Sequence, residues 1–142
     1  MERRYTPGDL DEVATDVLKR LFQQTDGATV LGLSGDLGEG KTTLTQSLAQ
    51  QLGVTETVVS PTFVIVKFYP TTHPDWDTLV HMDAYRIDDV EELAPLGWNS
   101  LLATPRTLVV VEWPERIKEQ LPATTLRLHI SHDGDARYIS TV

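Results

Sequence analysis

No cysteine occurs among the 142 residues, so the chain can form no disulfide, thiolate metal site or thiolate nucleophile. Basic residues are also few. Twelve Lys and Arg stand against 21 Asp and Glu, for a formal net charge of −9. They form no dense cluster, and a protein that grips nucleic acid through its phosphates ordinarily needs a basic face. Tight direct binding of RNA or DNA is therefore not expected, with a local patch at Arg3 and Arg4 left open. No apolar run approaches a membrane span. The N-terminal Met-Glu-Arg-Arg-Tyr-Thr-Pro-Gly-Asp lacks the apolar core of a signal peptide. Together these absences favour a cytoplasmic protein without a membrane partner. No repeat, low-complexity stretch or linker divides the chain, so one domain over residues 1–142 is expected.

What is present begins with the stretch from Val30 to Leu44. Gly35, Gly40, Lys41 and Thr42 fit the phosphate-loop (Walker A) pattern of Gly, four residues, Gly-Lys-Ser/Thr. The loop Gly35, Asp36, Leu37, Gly38, Glu39, Gly40 would curl its backbone N–H groups toward a polyphosphate, because glycines permit the tight path. The helix behind it would present its positive end to the same anion. Lys41 would reach the β- and γ-phosphates of a nucleotide such as ATP, and the Thr42 hydroxyl would ligate Mg²⁺; Thr43 completes the segment. Residues 28–33 read as a strand, and residues 43–52 as a helix with Leu44, Leu48, Ala49 and Leu52 at helical spacing.

In order along the chain, residues 9–24 predict a helix. Asp9 serves as its cap, and Leu10, Val13, Val17, Leu18, Leu21 and Phe22 form its apolar stripe. Gly53 is placed to end the second helix. Ser60-Pro61 punctuates, and Phe63 onward reads as a strand. Thr62 lies on the preceding loop, where a hydroxyl can sense a γ-phosphate or simply serve the turn. Residues 70–78 form a turn or hairpin loop, and 79–83 a strand ending in Asp83. Residues 89–94 and 98–103 are short helical pieces broken by Pro95 and Gly97. Thr107 to Glu112 is the most strand-like run, continuous enough for burial on both faces. Residues 117–121 read as a short helix. Residues 125–130 and 138–142 read as strands of a C-terminal hairpin across Asp133-Gly134-Asp135. The fold expected is α/β: a mainly parallel central sheet with helices on its faces and a C-terminal antiparallel hairpin.

Two acids, Asp83 and Glu112, end apolar strands. Ligands in open parallel sheets sit beyond the strands' carboxyl ends, so both acids are candidates to hold Mg²⁺ or order water beside Lys41 and Thr42. The sequence leaves open which acid does which. His81 reads as packed or hydrogen-bonded, and the other histidines show no zinc spacing. Trp113, directly after Glu112, fits either a core aromatic or an exposed anchor for a partner, with the second reading slightly favoured.

Residues 35–43 (Gly-Asp-Leu-Gly-Glu-Gly-Lys-Thr-Thr), 60–63 (Ser-Pro-Thr-Phe), 81–86 (His-Met-Asp-Ala-Tyr-Arg) and 112–115 (Glu-Trp-Pro-Glu) together closely resemble the TsaE family, in family order and spacing. The resemblance covers nearly the whole chain. It implies a compact P-loop NTPase fold and a Mg²⁺-dependent ATPase that is slow without partners. It also implies work alongside the TsaB–TsaD complex in tRNA threonylcarbamoyladenosine (t6A) modification, with tRNA met only indirectly. By motif position it implies Thr42 and Glu112 on the Mg²⁺ side, Asp83 as a catalytic or water-ordering acid, Thr62 as a switch threonine, and Arg137 near the nucleotide base. A monomer is expected. The chain departs from many relatives at Glu12, at Glu39 and in residues 97–100, which lack an acid and receive no role. Two other readings stay open: a small P-loop kinase, and a nucleotide-dependent binding switch with negligible turnover. Kinases usually bring several arginines over the phosphates, and this chain has none between Arg20 and Arg86.

Overall fold

The structure is a computed structural model and describes residues 1–36, 40–59 and 66–142. Its frame is a seven-stranded sheet in the order β1-β7-β6-β2-β5-β4-β3. The strands are β1 (Glu2–Tyr5), β2 (Thr29–Gly35), β3 (Val66–Pro70), β4 (Thr78–Asp83), β5 (Thr107–Glu112), β6 (Leu126–Asp133) and β7 (Ala136–Thr141). The central strands β6, β2, β5 and β4 run parallel, and the pairs β1–β7, β6–β7 and β3–β4 are antiparallel. The centre of the sheet is therefore parallel, as expected, and its antiparallel edges make the whole sheet mixed. The hairpin expected at the C-terminus is present, and a further strand, β1, extends it.

Strand periodicity sorts the core into two layers. On β5, Leu108 and Val110 pack with α1 (Leu10–Lys19) and α2 (Gly40–Gln51), while Val109 and Val111 pack on the opposite face. That second face is covered by α3 (Trp98–Leu102) and by 3-10 turns at Val90–Leu96 and Pro114–Gln120. Each buried Leu or Val on β5 contributes roughly 1.5–3 kcal/mol relative to exposure. This explains why an all-apolar run became the centre of the sheet.

The first helix is shorter than the 9–24 span its apolar spacing suggests. Its last turn closes with short-range bonds from Arg20 N to Val17 O and Leu21 N to Leu18 O. Thr29 Oγ1 then donates to the Phe22 carbonyl at 2.8 Å, and the Phe22 side chain is left exposed rather than in the stripe. Asp9 does stand at the N-cap position of α1, as expected, but its side chain makes no capping bond there. Its carboxylate accepts from Thr6 N at 3.0 Å and Thr6 Oγ1 at 2.9 Å, closing the 3-10 turn Pro7–Asp9 instead. Pro95 sits inside the Val90–Leu96 turn, and Gly97 alone ends it, with φ of 73°.

Gly53 does end the second helix, at a φ of +80°, and a Cβ there would lie 1.9 Å from Thr72 Oγ1. Thr72 N in turn donates to Leu52 O at 3.0 Å, so the contact cannot open freely. Left-handed strain costs about 1–2 kcal/mol before the clash is counted. Gly53→Ala is thus expected to lower stability by about 2 kcal/mol, or about 4–8 °C in Tm. An unchanged thermal melt would contradict this packing.

Candidate active site

Three strand ends define the site. In the parallel register, Leu33 on β2 lies beside Glu112 on β5, which lies beside Asp83 on β4. By strand alternation His81, Asp83 and Glu112 share the face of Leu79 and Leu108, the face that α2 covers. The two acids singled out in the sequence are therefore brought together beneath the start of α2.

Gly35 ends β2 with a φ of +149°, and a Cβ there would stand 2.3 Å from the Ile130 carbonyl oxygen. Glycine is required for the chain to pass that carbonyl. After Asp36 come Leu37, Gly38 and Glu39, which lie outside the described residues, and α2 begins at Gly40. Thr62 and the Ser60–Phe63 loop also lie outside them.

Lys41 is 3% exposed. Its Nζ donates to Gly35 O and Asp36 O, each at 2.8 Å, and sits 4.5 Å from the Trp113 ring centroid. Burial pushes its ammonium below the usual lysine range, opposed by the carboxylates of Glu112, Glu115, Asp83 and Asp36. Thr42 Oγ1 donates to the Glu112 carboxylate, at 3.2 Å to Oε1 and 3.1 Å to Oε2. The buried His81 Nε2 also bonds Glu112 Oε2, so this histidine is hydrogen-bonded as read from the sequence. Asp83 Oδ1 accepts from Tyr85 N at 2.9 Å.

Burial raises the Asp83 carboxyl above its ordinary 3.8, and the nearby Glu112 charge adds to this; the Tyr85 N–H, His81 and Lys41 pull the other way. A raised folded-state value means that the folded protein holds the proton more tightly than the unfolded chain. This contribution to stability is therefore present at low pH and lost as pH rises through the raised value. Asn at this position can still accept from Tyr85 N without carrying a charge. Asp83→Asn is expected to melt above the parent at pH 7, with the gap closing as pH falls toward 4. Thermal melts across that range test this, and a constant gap would contradict it.

Trp113 is half-buried and part of this cluster, a placement the sequence did not specify. It adopts the left-handed conformation, with φ of 61°, and its N–H donates to Leu33 O at 3.1 Å. Its ring packs against Tyr85 in a tilted arrangement, with centroids 4.9 Å apart and planes at 52°, and the Arg116 guanidinium lies 5.6 Å from the Tyr85 ring. Only its position after Glu112 signalled the site; a non-glycine at positive φ leaves no mark in sequence.

Arg137 stands on the other side of Gly40, with Nε 3.5 Å from where a Gly40 Cβ would be. With Tyr5, Pro7, Leu10, Gly40 and Thr43 it lines a cavity of about 210 Å³ beside the start of α2. Arg3 and Arg4 make no free basic patch: Arg3 pairs with Glu12 and Asp16, and Arg4 with Asp133. Among the described residues, no helix is long and apolar enough to cross a membrane.

Sheet and site together define a mixed α/β protein in which a buried lysine and a hydroxyl at the start of α2 meet two acids at the ends of the neighbouring strands β4 and β5. A family model described as threonylcarbamoyl adenosine biosynthesis protein TsaE matches residues 9–139, and the chain belongs to the TsaE family. The tRNA threonylcarbamoyladenosine biosynthesis protein TsaE of Streptomyces coelicolor is 42% identical over 113 residues, spanning 79% of this chain and 74% of that protein. Its namesake in Bacillus subtilis is 43% identical over 106 residues, 75% of this chain but only 63% of the relative's length. The crystal structure of Bacillus subtilis YdiB superposes with a TM-score of 0.74 at 30% identity, covering 99% of this chain and 83% of that one. TsaE proteins take part in the biosynthesis of t6A in tRNA, as these relatives' names state.

Proposed function

We propose that this chain is a P-loop protein that binds ATP with Mg²⁺ at the β2–α2 loop, hydrolyses it slowly alone, and serves t6A modification by acting on the TsaB–TsaD complex. The observation that carries this reading is the convergence of Lys41, Thr42, Asp83 and Glu112 at the carboxyl ends of β2, β4 and β5. Lys41 has its cation directed to the loop by two carbonyls, which phosphate oxygens would replace. The Trp113 ring beside Nζ keeps water from one side of it. Asp83, whose carboxylate ends β4 beside Glu112, is the group to order an attacking water and take a hydrogen bond from it.

The donor set suits the cation. Thr42 Oγ1 and the Glu112 carboxylate are hard oxygen ligands in contact with each other, and Mg²⁺ is commonly held by one or two such groups plus phosphate oxygens and waters. Among the described residues no group of three or more His, Asp or Glu forms a metal cage, so nucleotide and water would have to complete the shell. Thr42 and Glu112 would hold the ion, which supplies neutralisation of the charge that develops on the β- and γ-phosphates. Arg137 and the cavity it lines are placed to receive the rest of the nucleotide.

The kinase reading is disfavoured by the arginines themselves. Arg3, Arg4 and Arg106 are tied to carboxylates at the surface. The binding-switch reading differs only in turnover. Phosphate release from ATP–Mg²⁺, with and without TsaB–TsaD and with candidate small-molecule acceptors, separates all three. Slow release alone and altered release with the complex are expected. Acceptor-dependent ATP consumption would favour a kinase, and no release under any condition would favour the switch. With a net charge of −9 and its N-terminal arginines paired, the protein should bind tRNA only weakly by itself. Tight, salt-sensitive tRNA binding would contradict an effect routed through protein partners.

A further inference from the structure

Glu112 carries more than one hydrogen bond, and the second comes from a group with no role in the site so far. His81 lies on β4, fully buried, with Nε2 bonded to Glu112 Oε2, while Thr42 Oγ1 lies within reach of both carboxylate oxygens. An ionised carboxylate only accepts hydrogen bonds, so the ring proton on this side belongs to Nε2. His81 Nδ1 is buried and, among the described residues, has no hydrogen-bond partner. A bare acceptor nitrogen there is less costly than an unpaired N–H. Among the described residues the imidazole thus makes a single polar contact, the one to Glu112, and its place on β4 fixes the direction from which it is made. Asp83 lies two residues along the same strand face.

We infer that His81 is a positioning residue whose Nε2–H holds the Glu112 carboxylate turned toward Thr42. This rests on the proposed role of Glu112 as a ligand of the nucleotide's cation. Without the imidazole, a glutamate side chain at the end of a strand would sample other rotamers and meet Thr42 only part of the time. Partners of this kind, bonded to a ligating group rather than to the metal, are typically worth about 10–100-fold in metal affinity or activity.

The amide nitrogen of glutamine reaches about as far as Nε2, and that of asparagine only about as far as Nδ1. His81→Gln should therefore restore the contact that His81→Asn and His81→Leu lose. Calorimetry of ADP binding with and without Mg²⁺ reads the effect directly. The Mg²⁺-dependent gain in affinity should fall about 10–100-fold in His81→Leu and His81→Asn and be largely kept in His81→Gln, with metal-free ADP binding unchanged in all three. In hydrolysis assays KM for ATP–Mg²⁺ should rise in His81→Leu and His81→Asn and stay near the parent's in His81→Gln.

A merely structural histidine would give equal effects for Gln and Asn, or weakened metal-free ADP binding, and either result overturns the inference. If His81→Leu does not fold, the Gln–Asn comparison still decides. In nucleotide-free protein labelled with ¹⁵N-histidine, the His81 Nε2–H resonance should also shift in Glu112→Gln. An unmoved resonance overturns the contact itself. A resonance that shifts while the parent shows no Mg²⁺ effect on nucleotide binding overturns the metal role of Glu112, and the inference with it.

Discussion

Lys41→Ala should abolish productive ATP binding and leave the fold intact. Hydrogen bonds to a charged group are worth about 1.5–3 kcal/mol each, so loss of two or more phosphate contacts weakens binding more than 100-fold. The same change should cost little in nucleotide-free protein. It removes an ammonium that burial already disfavours. A melting temperature within a few degrees of the parent is expected. Isothermal titration with ATP–Mg²⁺ measures the affinity, and unchanged affinity and turnover would refute the assignment of Lys41.

Substitution of the two acids should separate hydrolysis from binding. Fixed groups that meet developing charge matter most in the transition state, and loss of one commonly costs about 10²–10³ in kcat. Glu112→Gln and Asp83→Asn are the informative variants, because each preserves local hydrogen bonding. The amide oxygen that Glu112→Gln introduces would still accept from Thr42, whereas Glu112→Ala would strand the buried His81 Nε2 at a cost of about 1–3 kcal/mol. Asp83→Asn keeps the bond from Tyr85 N. Asp83→Asn should lower single-turnover hydrolysis about 100-fold or more while nucleotide affinity falls far less, and Glu112→Gln, which also loses a charged ligand of the cation, should lose more in hydrolysis than in Mg²⁺-dependent affinity. Near-normal single-turnover hydrolysis in either variant would remove that residue from its proposed role.

Most of the site was legible because its parts obey local rules. Gly35 to Thr42 follow a spacing dictated by the loop's own mechanics. Thr107–Glu112 was bounded correctly by its uninterrupted apolar run and terminal acid. Alternation along β4 then places His81 and Asp83 on one face without further information. What escaped was set by partners distant in sequence. Glu2–Tyr5 contains Arg3 and Arg4 and shows no apolar alternation, yet it forms β1 because the edge of β7 is there to pair with. Phe22 continues the helical spacing of residues 10–21, but the chain has already turned toward β2. Trp113 owes its contact with Lys41 to a left-handed backbone turn after β5, held by Leu33 across the sheet.

If nucleotide state is what this protein communicates, the face around Trp113, Tyr85 and Arg116 is where a partner would feel it, because Trp113 touches the loop lysine directly. Trp113→Ala should then weaken partner coupling more than nucleotide affinity. The direct measurement is capture of TsaB–TsaD by the immobilised chain in the presence of a non-hydrolysable ATP analogue, ADP, or no nucleotide, each with Mg²⁺. Capture that depends on which nucleotide is present, and that loses this dependence in Lys41→Ala, is the expected result. Capture indifferent to nucleotide, or no capture at all, would contradict it.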